Sequence, residues 1–206
     1  MPNHCSNSLT VTGPDAERFF AAIERQTDSN FIDQFIPMPE LLRGASTGGN
    51  TIDGEYVKIW RTDEDGKAVK IPDIELALAI DLYGTYDWYE WCRANWGTKW
   101  GAYDVTVDAA AGRIAFDSAW APPVPAIEKI SQKFPKATFV LAFAEGGACF
   151  YGYTTFENGA LIDTDESDQF WIESTGEEEE VEGDIEDSLT PECRAHLETY
   201  GLHTGG

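Results

Sequence analysis

The stretch from Tyr86 to Asp104, YDWYEWCRANWGTKWGAYD, constrains the fold of this chain more than any other. It holds four of the seven tryptophans: Trp88, Trp91, Trp96 and Trp100. Asp87 can cap a helix, and Glu90 three residues on would complete a capping box. Trp88, Trp91, Cys92 and Asn95 recur at i, i+3, i+4 and i+7, which places them on one helical face. Gly97 suits the position just past the helix, where a missing Cβ lets the backbone turn left-handed. The period then switches to two, with Tyr103, Val105 and Val107 alternating against Asp104, Thr106 and Asp108. The stretch predicts a helix stapled by large aromatics to the strand behind it. Together with Trp120 it forms a structural aromatic centre, since buried indoles mostly supply apolar area. The other use for such a cluster is an aromatic platform for a ligand.

The 206 residues are enough for one domain with a real core plus appendages. A first strand runs from Cys5 to Thr12, and a first helix covers about 14–26 behind Pro14. Phe31, Phe35, Ile36 and Pro37-Met38-Pro39 read as a packed loop leading to a helical turn at Glu40–Arg43. Gly44 to Asn50 reads as a loose segment. Glu55 to Ile71 reads as a hairpin about a type I′ turn at Asp65-Gly66. The next helix, about 73–83, is apolar nearly all round (Ile74, Leu76, Leu78, Ile80, Leu82), so it belongs inside the domain or under a partner.

After the tryptophan-rich helix come a strand to Val107 and a second strand with Ile114, Phe116, Ser118 and Trp120 on one face. A helix carrying Val124, Ile127, Ile130 and Phe134 follows, then a central strand at Thr138–Ala144. Gly146-Gly147 and Asn158-Gly159 turn two further hairpins, ending in a strand at Ala160–Ile162. This order is the split βαβ pattern of a ferredoxin-like α+β fold. It predicts one antiparallel sheet with helices on one face and extra C-terminal strands. The domain would span 1–162, with an inserted hairpin and helix at about 45–85. Residues 163–206 would be an acidic segment ending in a short docked helix at 190–201.

Charge separates the two parts. Residues 1–136 hold 13 Lys/Arg against 20 Asp/Glu, whereas residues 137–206 hold Arg194 alone against 17 acids, and the whole chain carries −23. A field of that sign repels nucleic acid and anionic membrane and attracts basic surfaces. The acids Asp163, Asp165, Glu166, Asp168, Glu173, Glu177, Glu178, Glu179, Glu180, Glu182 and Asp184 are therefore the candidate partner-binding residues. A solvated acidic linker is the plainer reading of the same segment. No run of residues is long and apolar enough to span a bilayer. The first residues have no secretory signal pattern, and the four cysteines lack CxxC spacing, so we expect a cytoplasmic protein with free thiols.

The segment PNHCSNSLTVTG, Phe35 to Pro39, Tyr86 to Trp100, Trp120-Ala121-Pro122-Pro123 and the Glu145-Gly146-Gly147 turn occur in one order. In this the chain resembles the YubB-type ferredoxin-like domain family over roughly residues 1–162, most specifically at Trp96-Gly97-Thr98-Lys99-Trp100. The resemblance implies the fold and a setting in bacterial plasmids, phages and integrated elements. It implies no catalytic residues.

No P-loop, GxGxxG, GxSxG or HExxH motif is present, and none of His4, His196 and His203 stands at metal-ligand spacing from a cysteine or another histidine. Asp163 to Asp168 begins like a calcium loop but lacks glycine at the sixth position and Glu at the twelfth. We expect no metal and no cofactor. Lys99 should ion-pair with Asp87 or Asp104 or cover indole faces. The expectation is a non-enzymatic protein that binds a basic protein surface. With the mobile-element resemblance, its sharpest form is an inhibitor of a host restriction or CRISPR nuclease, with carboxylates standing where phosphates would lie. The alternative is a small-ligand-binding protein or enzyme using Trp96, Lys99, Trp100 and Trp120, which requires a concave pocket with polar groups among those rings.

Overall fold

The computed structural model describes residues 3–23, 30–46, 48–171 and 188–204. The chain passes from β1 (His4–Thr12) and α1 (Ala16–Ile23) into an insertion. That insertion comprises α2 (Phe31–Phe35), β2 (Ala45–Ser46), β3 (Asn50–Ile52), β4 (Glu55–Val57), β5 (Trp60–Thr62), β6 (Ala68–Lys70), α3 (Asp73–Tyr83) and α4 (Trp88–Asn95). It returns through β7 (Tyr103–Asp108), β8 (Arg113–Ala119), α5 (Val124–Lys133) and β9 (Thr138–Glu145), then adds β10 (Phe150–Glu157), β11 (Ala160–Ser167) and α6 (Pro191–Tyr200).

The main sheet has the order β11-β10-β9-β1-β8-β7, antiparallel throughout. β1–α1–β7 and β8–α5–β9 are two βαβ units, each with a strand of the other unit between its own two. This is the ferredoxin-like α+β fold. The period-two pattern decides which face is core. Cys5, Leu9, Val11, Ile114, Phe116, Phe139, Leu141 and Phe143 point one way and are buried with Phe19, Trp91, Ile127 and Ile130 of α1, α4 and α5. Asn7 lies on the same face, and its amide donates to the Cys5 carbonyl and to Ser118 Oγ at 2.7 and 2.9 Å.

α6 covers the opposite face. Cys193 and Leu197 pack with Ala144, Tyr151, Phe170 and Leu189 in a second buried cluster. α6 begins as expected: Thr190 caps it by accepting from the Cys193 amide, with Pro191 at its first position. The boundary drawn at 162/163 falls inside β11, because the strand keeps pairing with β10 as far as Ser167. Strand geometry also replaces the calcium-loop reading of Asp163–Asp168, since alternate residues there point to opposite faces.

The insertion departs furthest from the sequence reading. Where a loop was expected, Phe31 to Phe35 forms a short helix capped by Asn30, with Phe31 and Ile32 fully buried. The segment read as loose contains β2 and the start of β3, which pair with β5 and β4. The single hairpin expected over Glu55–Ile71 is divided, because bends at residues 58–59 separate β4 from β5. At its turn Gly66 is left-handed (φ 78°) but Asp65 is not, so the loop is not type I′. Trp120 leaves the face of Ile114, Phe116 and Ser118: β8 ends at Ala119, and Trp120 itself turns left-handed (φ 67°).

Candidate binding surfaces

α4 forms much as its residues predict. Asp87 Oδ1 accepts from the Tyr89 amide at 2.8 Å, and Gly97 (φ 84°) closes the helix by donating to the Cys92 and Arg93 carbonyls. A Cβ on Gly97 would lie 2.4 Å from Pro125 Cδ, so the close approach of α5 also requires glycine there. The reciprocal half of the capping box does not form. Thr85 Oγ1 accepts from the Asp87 amide and donates to Glu90 Oε2 instead. Trp91 and Trp96 are buried edge to face, and Trp96 Nε1–H donates to the Ile36 carbonyl at 2.9 Å.

The five aromatics of the predicted centre divide. Trp91 and Trp96 are core, Trp88 is half-buried, and Trp100 and Trp120 are 40% and 42% exposed. Between the exposed pair lies Lys99, its ammonium 4.8 Å from the Trp100 ring centroid and 4.9 Å from that of Trp120. Of its two expected roles, Lys99 takes the covering of indole faces.

Beside this cluster an open cleft of about 530 Å³ is lined by Trp88, Trp96, Lys99 and Trp100 together with Asn30, Asp33 and Arg43. Arg43 Nη2 reaches both Asp33 oxygens at 2.9 and 2.8 Å, and its Nε meets Glu40 at 3.0 Å. The hydrogen bond that Arg43 donates to Asp33 raises the Arg43 pKa above its ordinary value. Its charge is thus largely committed within the wall. Asn30 Oδ1 accepts from the Ala102 amide at 3.1 Å. Three of the four residues of the small-ligand alternative, Trp96, Lys99 and Trp100, line this cleft. Trp120 does not line it, and among the described residues its lining includes no histidine, cysteine or serine. The arrangement can stack a planar group on indole and offer it the Lys99 ammonium. Sequence reading missed the Asp33–Arg43 wall. Its one legible signal was Asn30, a good N-cap residue directly before Phe31.

The acidic candidates divide as well. Asp163, Asp165 and Glu166 stand on β11, the last strand of the sheet, where every side chain from Ala160 to Glu166 is exposed. Asp163 Oδ2 accepts from Tyr153 O–H at 2.8 Å, which raises the Tyr153 pKa. Asp168 follows in the loop that leads to Phe170. Among the described residues none of these four acids is ion-paired. Glu173, Glu177, Glu178, Glu179, Glu180, Glu182 and Asp184 lie outside the described residues.

His196 is pressed between Tyr151 and Tyr200, and desolvation lowers its pKa. His203 meets Asp117 at 3.1 Å, and that hydrogen bond raises its pKa. His4 Nδ1 shares a hydrogen bond with Tyr103 O–H. Burial pushes the Cys92 thiol up to about 12 and the Cys193 thiol up to about 11, so neither is a ready nucleophile. Among the described residues no group of three or more His, Cys, Asp or Glu side chains is placed to hold a metal ion, and no helix is long and apolar enough to cross a membrane.

Residues 95–186 match the family model described as the ferredoxin-like domain in Api92-like protein. A crystal structure of protein api92 from Yersinia pseudotuberculosis aligns at 15% identity with a TM-score of 0.44, covering 81% of this chain and 98% of that one. No curated protein matches the chain.

Proposed function

We propose that this is a non-enzymatic, cytoplasmic protein that binds a basic protein partner through the acidic face beginning on β11. The observation that carries the reading is the exposed strand itself. Asp163, Asp165 and Glu166 project from a rigid sheet edge with no Lys or Arg paired to them among the described residues. Asp163 and Asp165 stand on one face of this edge strand and Glu166 on the other; backed by a net charge of −23, such an edge steers and orients a basic surface, and the same charges repel nucleic acid and a second acidic copy. With the mobile-element setting implied by the YubB-type resemblance, the partner we favour is a nucleic-acid-binding nuclease of host defence, its basic channel occupied by carboxylates in place of phosphates.

The test uses the full chain, since cutting at residue 162 would split β11 and remove α6 from its face of the sheet. Immobilised protein is compared with a variant carrying Asp163→Asn, Asp165→Asn, Glu166→Gln and Asp168→Asn for retention of nucleic-acid-binding proteins from a bacterial lysate. We expect retention by the native chain, release by moderate salt and by competing duplex DNA, and loss in the variant. Retention that ignores both salt and the variant would refute the proposal.

A second reading rests on the cleft between Arg43 and Trp100, which offers indole walls and one ammonium to a small planar ligand. Saturable quenching of tryptophan fluorescence by such a ligand, removed by Trp100→Ala, would support it.

A further inference from the structure

α3 is the most anomalous surface of the molecule. Its residues are apolar nearly all round, so a place in the interior was one of its two expected positions, yet only Ala79 is buried. Ile74 is 77% exposed, Leu78 44%, Ile80 49% and Leu82 55%. Such a run of large apolar side chains in water is what an interaction site presents. The helix is well terminated: Gly84 is left-handed (φ 75°) and donates to the Ile80 carbonyl, so the exposed face is carried on a defined element.

Charge narrows the occupant. α3 contains no Lys or Arg. Of its acids, Glu75 is paired with Arg61 and Asp73 with Lys70, both on the side of the small strands. Asp81 has no ion-pair partner among the described residues. At 100° per residue it lies on the outward side with Ile74 and Ala77 and next to Leu78, inside the apolar stripe. Anything that covers this stripe also removes water from Asp81, and an unpaired buried carboxylate is strongly unfavourable. A second copy would worsen it. A parallel two-fold pairing sets Asp81 against Asp81, and no antiparallel pairing of two α3 helices offers it a Lys or Arg, since α3 contains none. Each copy also carries −23.

We propose that α3 is the docking face for an amphipathic helix of another protein, one that carries Leu- or Ile-type residues at i, i+4 spacing and a Lys or Arg one turn away to meet Asp81. This is a helix-on-helix site, separate from the β11 face.

The probe is a fluorescein-labelled Leu/Lys amphipathic peptide of about 18 residues, long enough to hold helix, with a Leu/Glu peptide of the same pattern as control. Anisotropy titrations use the full-length protein. We expect the Leu/Lys peptide to bind and the Leu/Glu peptide to fail. Leu78→Asp should weaken binding about tenfold or more although it adds a negative charge, and Asp81→Asn should weaken it about threefold to tenfold. Ile74→Ser repeats the first comparison without a new charge, and circular dichroism confirms that each variant folds. The β11 variant with Asp163, Asp165, Glu166 and Asp168 neutralised should bind the peptide as the native chain does, so failure of the acidic-face reading leaves this result unmoved. If Leu78→Asp binds as well as the native chain, bulk charge accounts for binding and the proposal falls. It falls too if both peptides bind alike, if neither binds, or if light scattering finds a dimer that Leu78→Asp dissociates.

Discussion

α3 and α4 are neighbours in the same insertion, both rich in large apolar side chains, and they meet opposite fates. α4 buries Trp91 and Cys92 and is followed by the buried Trp96, whereas α3 buries Ala79 alone. The difference lies in pattern rather than amount. On α4 the buried Trp91 and Cys92 alternate with the exposed Glu90 and Arg93, so one face is worth burying and the other is worth hydrating. On α3 the apolar residues surround the axis, and no single face wins. A helix with a directional stripe docks on its own core. One without it leaves most of its apolar surface in water.

The largest effect that would sharpen this comparison is at the residue behind α4. Trp96→Ala removes a buried indole and its hydrogen bond to Ile36, and should destabilise by about 3–5 kcal/mol in urea unfolding. Leu197→Ala tests whether α6 docks by a directional stripe as α4 does. It should cost about 2–4 kcal/mol, the range of a filled apolar site, and a cost below about 0.5 kcal/mol would leave the second buried cluster without energetic weight. Asp87→Ala removes the cap of α4 and should cost about 1 kcal/mol, with faster amide exchange confined to the first turn of that helix. Smallest of all, Leu78→Ser on α3 should change stability by no more than about 0.5 kcal/mol, as at an ordinary surface position. A cost of 2 kcal/mol or more, the range of a core Leu, would break the comparison, because α3 would then be packed in solution against something of its own.

Much of the sheet was legible because its signals are local and redundant. The Asn158-Gly159 turn places both residues left-handed, at φ 49° and 78°, as the dipeptide requires, and β9 is a central strand because its residues are apolar on both faces. The insertion was less legible because its strands are two or three residues long, too short to show a period. The cleft was half legible. Its indoles announce themselves, but the rest of its lining needs Arg43 to fold back onto Asp33 across a loop, and no spacing encodes that contact. The extent of β11 was misjudged because four acids in a row of six residues read as a solvated run, while the strand asks only that the backbone pair with β10.

The amino-acid sequence by itself determined the order of the strands and helices of the main sheet, the helix caps at Asp87 and Thr190, and the net charge of −23. These follow from local backbone preference and from counting, neither of which needs a distant neighbour. Tertiary structure alone decided that α3 stays outside, that Lys99 sits between two indoles, and that α6 closes the second face of the sheet. Each of those outcomes is a competition among surfaces far apart in the chain, and burial goes to whichever fits best when the sheet has closed.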